Sequence, residues 1–410
     1  MRLVVERLGH RGDGVARDPV LGATFYVPGA LPGEEVEGQP EGDRLTRVRI
    51  LSPSPDRVRP PCVHARSCGG CTLQHASDAF VADWKAEVVT RALAAQGIAA
   101  EVLRTVTSPP RSRRRAVLAG RRGKGGAILG FHRRGTHEVI DTPDCLVVHP
   151  VITAAFPALR EAVMAGAARG RELSLSVTVT EGGPDVGVAG AKPPDPVQLG
   201  ALAERHGLAR LTWADEVLAQ RAPAVAVIGR ARVPLPPGAF LQATAEGEAA
   251  LVAAVRDAVG GARRVVDLFA GCGTFALPLA ERAEIHAAEA DRTMLAALDA
   301  GWRGAPGLRR ITTETRDLFR NPLSGEELRG FDAAVIDPPR AGAETQVRAL
   351  AEARLPLVAM VSCNPATFAR DAKILTDAGY LLDPVHVIDQ FRWSPHVELA
   401  ARLRLPHIAA

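Results

Sequence analysis

Along residues 1–56 apolar and polar side chains alternate in short runs broken by glycine: "LVVERLGHRGDGVARD", "GATFYVPGALPGEEV" and "TRVRILSPSP". Period-two alternation between turn residues predicts half-buried β-strands. So many short strands in so few residues suit a small barrel of the OB kind, an architecture that often binds nucleic acid. The proline-rich "SPSPDRVRPPC" ends that unit and reads as a linker. The period then changes. In "ASDAFVADWKAEVVTRALAAQG", Trp84, Val88, Val89 and Leu93 recur on one helical face, and Gly97 supplies a stop. From about 109 to 235, strand patterns ("ELSLSVTVTE", "PAVAVIG") mix with helical ones ("PVITAAFPALREAVMAGAARG"), which predicts an α+β unit around an antiparallel sheet. From about 236 onward the two periods alternate. "RRVVDLFAG", "EIHAAEAD", "RRITTETRD", "FDAAVIDPPR" and "LPLVAMVSCNP" read as buried strands between alanine- and leucine-rich helices. That order predicts a doubly wound α/β fold whose mostly parallel sheet binds its ligand at the strands' carboxyl ends.

Composition adds bounds rather than identity. The 410 residues suffice for two or three domains, and 47% hydrophobic with 23% charged residues is ordinary for a soluble protein. A formal net charge of +4 excludes a global polycation. The distribution is more telling, because Arg111, Arg113, Arg114, Arg115, Arg121, Arg122, Lys124, Arg133 and Arg134 crowd into one region. Such a cluster can neutralise nucleic-acid phosphates, and it can equally be a solvated basic face. The amino terminus has no apolar signal core and no stretch reaches transmembrane length, so a cytoplasmic protein without membrane contact is expected. Cysteines in that compartment are reduced thiols, metal ligands or nucleophiles. Aromatic residues make up only 4%, which draws notice to Phe240, Phe269, Phe391 and Trp393.

"VVDLFAGCGTFALPLA" (265–280) reads as strand, glycine turn and helix. Gly271 and Gly273 allow close backbone approach to a ligand, and the helix that follows offers free N–H groups. Asp267 at the strand end, with G-x-G in place of the full G-x-G-x-x-G, favours S-adenosylmethionine over a dinucleotide. Glu289 ends the next strand, where it is placed to accept from ribose hydroxyls, and Asp317 follows the third strand near the expected adenine. Each alone could be an ordinary helix cap. Three acids at consecutive strand ends favour the cofactor reading.

The fourth strand ends in "IDPPRAG", whose prolines hold the backbone extended and would project Asp337 into the crevice. The fifth ends at Cys363 in "VSCNPAT". A thiol at the rim, beside two polar residues and a proline, is placed as a nucleophile rather than as packing. Glu398, in the terminal "HVE", is the candidate base, since a carboxylate in a partly apolar pocket gains basicity. His396 reads as structural.

"DLFAGCGTF", "DPPRAG", "SCNPATFARD" and the terminal "HVE" together resemble the S-adenosylmethionine-dependent RNA uracil-5-methyltransferase family, and "VERLGHRGDGVA" with "FYVPGALPGE" resembles a TRAM domain. The resemblance implies Cys363 as nucleophile and Glu398 as general base. It places Gln242, Phe269, Gly271, Thr274, Glu289, Asp317 and Asp337 on the donor. The substrate implied is structured RNA, with 23S rRNA favoured and tRNA open, and the enzyme a monomer. The expected organisation is a TRAM (OB-like) β-barrel over 1–56, a central α+β domain over 57–74 and 109–235, and a Rossmann-like methyltransferase domain over 75–108 and 236–410.

Cys62, Cys68 and Cys71 form C-x5-C-x2-C, with Cys145 a distant fourth. Four thiolates suit zinc or a [4Fe–4S] cluster, and spacing does not separate the two. The family resemblance implies [4Fe–4S], in a structural or RNA-positioning role. Cys272 reads as packing. Two other readings compete: an iron–sulfur RNA-binding protein without catalysis, and a nitrogen-directed methyltransferase built on "DPPR", which needs no thiol.

Overall fold

The computed structural model describes residues 1–406. Strands Arg2–Leu8, Gly14–Arg17, Thr24–Val27, Glu35–Glu41 and Arg44–Ser52 close into a barrel, ordered 1-2-3-5-4 around its wall. The alternation along the chain becomes an inside and an outside, with Leu3, Val5, Phe25, Val27, Val36 and Leu45 filling the interior. Fully buried Glu34 accepts from Arg57 Nη2 at 2.7 Å and from the backbone N–H of Leu31 and Ser54. This ties the linker to the barrel. Leu8 and Leu31 then pack with Leu73, Val81 and Trp84, so the barrel rests on the helix Asp78–Ala95.

A seven-stranded sheet occupies the middle of the chain, and all but one of its neighbouring pairs are antiparallel. The exception joins Gly183–Ala189 to Arg210–Trp213 across the helix Pro196–Arg205, the crossover that a parallel pair requires. "PAVAVIG" does not join this sheet as expected. Val225–Ile228 pairs with Ala231–Pro234 in a separate hairpin. Its Ala226, Ile228 and Val233 enter the core of the parallel sheet instead. A four-residue strand with one apolar face goes wherever that face finds cover.

The third sheet is the α/β unit. Numbered along the chain, its main strands are Arg264–Leu268, Glu284–Glu289, Ile311–Thr315, Ala333–Ile336, Leu357–Ser362, His386–Asp389 and Glu398–Arg404, and they lie in the order 3-2-1-4-5-7-6. The first five are parallel, and the last runs antiparallel between its neighbours. Their continuous apolar character has a cause: both faces are covered. Val265, Ala287, Val335 and Val361 pack on one side with the helix Ala245–Val259. Val266, Leu268, Ala334 and Met360 pack on the other with Glu344–Ala353 and Pro365–Asp377. The order reverses between the first and fourth strands, which opens a crevice at their carboxyl ends. The antiparallel last strand begins at that same edge, so Glu398 arrives beside Cys363, with Leu399 opposite Ser362. No helix among the described residues is long and apolar enough to cross a membrane.

Candidate active site

The glycine turn is shaped by its neighbour strand. Gly271 and Gly273 have φ of +54° and +94°, which L-residues rarely adopt, and Phe269 is itself at +65°. Gly271 N–H donates to Glu289 Oε2 at 3.1 Å, while Glu289 Oε1 accepts from the N–H of Ala290 and Asp291 at 2.7 and 3.0 Å. Glu289 therefore organises the turn as well as ending its strand. The helix expected after the turn is a single turn, Ala276–Leu279. Thr274 is half-buried within the turn. Asp317 is exposed and accepts from Phe319 and Arg320 N–H at 3.0 and 3.3 Å, closing a local turn. Phe319, which the pattern did not single out, sets its ring 5.4 Å from that of Phe269. Asp267 has no exposure, and neither carboxylate oxygen makes a hydrogen bond of normal geometry. Burial above all, then Asp337, pushes its carboxyl well above the usual range, while Ala276 N–H pulls the other way. It is held neutral.

Cys363 follows the strand Leu357–Ser362 and is half-buried. Ser362 Oγ accepts from Asn364 N–H at 3.1 Å, and Asn364 caps the helix Pro365–Asp377 through Ala366 N–H, with Pro365 at the first helical position. The thiol thus stands on a short, braced turn between strand and helix. Glu398 is buried, and burial, with Asp337 adding and Arg340 opposing, pushes its carboxyl up to about 8. Burial lifts Asp337 to about 7. Burial, Glu398 and Asp337 raise the Cys363 thiol; the Arg340 guanidinium lowers it, by its charge and by a hydrogen bond. Arg340 also donates to His396 Nδ1 at 3.0 Å, and its carbonyl accepts from Asn364 Nδ2 at 3.0 Å and Thr367 Oγ1 at 3.2 Å. Cys363, Glu398, Asp337 and Arg340 form one cluster. Sequence reading passed over Arg340, whose only signal was its place after "DPP". Gln242 is buried near the same edge, where Gln390 Nε2 donates to its Oε1 at 2.7 Å.

A family model described as tRNA (Uracil-5-)-methyltransferase matches residues 304–404, which carry Asp317, Asp337, Cys363 and Glu398. An uncharacterized RNA methyltransferase of Brucella suis biovar 1 is 44% identical over 98% of this chain and 97% of its own. The 23S rRNA (uracil(1939)-C(5))-methyltransferase RlmD of Halomonas elongata is 34% identical over 99% of this chain and 90% of its own. The chain belongs to the RNA uracil-5-methyltransferase family. The fold agrees: the Pyrococcus abyssi tRNA (uracil-54, C5)-methyltransferase, solved with S-adenosyl-L-homocysteine, superimposes with a TM-score of 0.75, covering 98% of this chain and all of that one at 24% identity.

Two features of this uracil-5-methyltransferase differ from a simple reading of its sequence. Cys62, Cys68, Cys71 and Cys145 line one cavity of ≈ 560 Å³, which continues past Arg113 and Phe391 to Arg340 and His396. The fold has gathered the four cysteines. Yet no three His, Cys, Asp or Glu side chains among the described residues converge closely enough to enclose one metal ion. A single tetrahedral zinc would need sulfurs roughly 3.8 Å apart, given its ~2.3 Å bonds. Burial pushes the Cys71 thiol up to about 12 and raises Cys68 too. The basic cluster is also partly consumed. Arg114 pairs with Glu248 and Arg133 with Glu138, while Arg113 and Arg115 lie over the rings of Phe391 and Phe240 at 5.3 and 5.7 Å. Cys272 is a core residue.

Proposed function

We propose that the protein transfers the methyl group of S-adenosylmethionine to carbon 5 of a uridine in structured RNA through a transient bond from Cys363 Sγ to carbon 6 of the base. The observation that carries this reading is the shared cluster of Cys363, Glu398 and Arg340 at the crevice edge. Carbon 5 of uracil is too weak a nucleophile to take a methyl group unaided. Addition of the Cys363 thiolate to carbon 6 generates an enolate, and carbon 5 then attacks the sulfonium methyl, releasing S-adenosylhomocysteine. Glu398, as carboxylate, removes the remaining hydrogen from carbon 5. The electron pair re-forms the ring double bond and expels the thiolate. Arg340 favours the thiolate against the two acids beside it. Gln242, Phe269, Gly271, Thr274, Glu289, Asp317 and Asp337 bind the donor in this reading.

The barrel at residues 1–56, with Arg111, Arg121, Arg122 and Lys124, which form no ion pair among the described residues, grips the RNA backbone while the target base is extruded into the crevice. Large-subunit ribosomal RNA is the favoured substrate, supported by the full-length likeness to the Halomonas enzyme. Cys62, Cys68, Cys71 and Cys145, which line one cavity, would hold a [4Fe–4S] cluster in this reading. When bound, that cluster cross-links residues 62–71 to 145, and the chemistry above uses none of its electrons.

RNA carrying 5-fluorouracil at the target, incubated with tritiated donor, tests the mechanism. The fluorine cannot be abstracted, so a denaturation-resistant protein–RNA adduct is expected, and Cys363→Ala abolishes it. Labelled product without any adduct would instead support nitrogen methylation. On ordinary RNA, Glu398→Gln accumulates the adduct and lowers turnover ~10²–10⁴-fold. Wild-type turnover in that variant excludes Glu398 as the base.

A further inference from the structure

Gln242, Thr244 and Gln390 are 3%, 1% and 2% exposed. Gln390 follows the strand His386–Asp389, which ends at the same sheet edge as the Cys363 strand because both run antiparallel to Glu398–Arg404. The backbone N–H of Thr244 can only donate, and its acceptor is Gln390 Oε1 at 3.2 Å. Gln390 Nε2 is thereby a donor, and it reaches Gln242 Oε1 at 2.7 Å. One backbone group thus orients two amides in series. Gln242 is left with its Nε2 turned out of this chain of bonds. That nitrogen has no acceptor among the described residues and is not one of the enclosed polar atoms that lack partners. Space for the arrangement is guarded by Gly247: a Cβ there would collide with Gln390 Cγ and stand 2.7 Å from its Cδ. Thr244 is fixed in turn, its Oγ1 accepting from Gly247 N–H at 3.0 Å and lying 2.7 Å from Ser108 Oγ.

We propose that Gln390 is a positioning residue that sets the hydrogen-bond polarity of Gln242, so that the crevice meets an N–H donor and selects a ligand oxygen acceptor. The inference rests on the crevice being the reaction site argued above. Two ligand oxygens share this chemistry: the carboxylate of the methyl donor and the 4-oxo group of uracil. Cytosine would bring an amino group to the second position, donor against donor, leaving both groups unsatisfied.

Gln390→Glu tests polarity rather than mere presence. An ionised carboxylate still serves Thr244 N–H but offers no donor, so Gln242 turns Nε2 inward and shows its oxygen to the crevice. Protonated, the introduced carboxyl regains a donor. The expected result is a kcat/KM down ~10²-fold at pH 8.5, with the ratio to wild type recovering at pH 6. Gln390→Met leaves both amide orientations open; it is expected to lose only about fivefold, at a ratio independent of pH. The S-adenosylhomocysteine dissociation constant, measured by calorimetry, distinguishes the two oxygens. It rises in Gln390→Glu if the donor carboxylate is the acceptor. It is unchanged, with slower single-turnover adduct formation, if the uracil oxygen is.

The proposal is overturned if Gln390→Glu matches wild type, or if Gln390→Met is equally impaired with the same pH-independent ratio. Should the introduced charge unfold the chain, Gly247→Ala crowds Gln390 without charge. That variant is expected to lose at least about tenfold in kcat/KM, and wild-type kinetics in it would likewise overturn the proposal. Wild-type adduct formation on fluorouracil RNA is scored alongside. Its failure defeats the crevice chemistry, whereas its success with indifferent Gln390 variants defeats only the positioning role.

Discussion

In the proposed mechanism Cys363 and Glu398 must both lose a proton to act, and the folded protein holds both protons more tightly than water would. Burial above all pushes the Glu398 carboxyl up to about 8. Turnover is therefore expected to fall as pH drops below about 8, in the direction of rising protonation of base and nucleophile together. Arg340 is the group that opposes this for both. Arg340→Gln should move the pH–rate profile to the alkaline side by about one unit, worth ~1.4 kcal/mol, and slow iodoacetamide alkylation of Cys363 at pH 8. An alkylation profile superimposable on wild type would remove Arg340 from this role. The place of Cys363, the proposed nucleophile, was legible because an apolar run ends there in Ser-Cys-Asn-Pro, a strand end followed by a helix cap. Arg340 was not, since nothing local separates an arginine that faces a thiol from one that faces water. Gln390 had no signal at all: its partner Gln242 lies 148 residues away.

The helix Asp78–Ala95 shows the same division one level up. Of the face its spacing marks out, Trp84, Val89 and Leu93 are buried and Val88 is half-buried. The same spacing leaves Lys85 unassigned, yet Lys85 has no exposure and its Nζ sits 2.6 Å from Asp389 Oδ1. Asp389 Oδ1 also accepts from Phe391 N–H at 2.9 Å, and Lys85 Nζ lies 3.4 Å from the Phe391 carbonyl. The pair braces the loop that runs from Gln390 to Glu398. Lys85→Met leaves a buried carboxylate without its counter-charge, and a loss of ~3–5 kcal/mol in denaturant-unfolding stability is expected. The double variant Lys85→Met with Asp389→Leu should be less destabilised than the single, because no charge then remains to desolvate. Equal losses would show that the ion pair is not the origin of the effect. Strand character was equally legible where burial is two-sided, as in Leu357–Ser362. The sheet joined by Val225–Ile228 was not, because a short amphipathic strand does not name its partner.

For the molecule as a whole, the barrel packs on the helix Asp78–Ala95, and the cysteine-lined cavity lies between Ala116, Val117 and Phe131 of the antiparallel sheet and Arg340, Phe391 and His396. The proposed cluster would therefore act across more than one loop. Anaerobically purified protein is expected to contain iron and acid-labile sulfide, and Cys71→Ser to lose both and melt at a lower temperature. Iron-free protein with zinc in its place would overturn the cluster assignment.

The chain's own pattern was enough for the element types, the doubly wound sheet and the strand ends where chemistry gathers. Those follow from which face of a turn or strand is apolar, a property of neighbours a few residues apart. Which carboxyl burial pushes up, which arginine meets the thiol and which way an amide turns were settled by packing alone. Such choices depend on the dielectric and the hydrogen-bond partners supplied by distant segments, and these exist only once the sheets have closed.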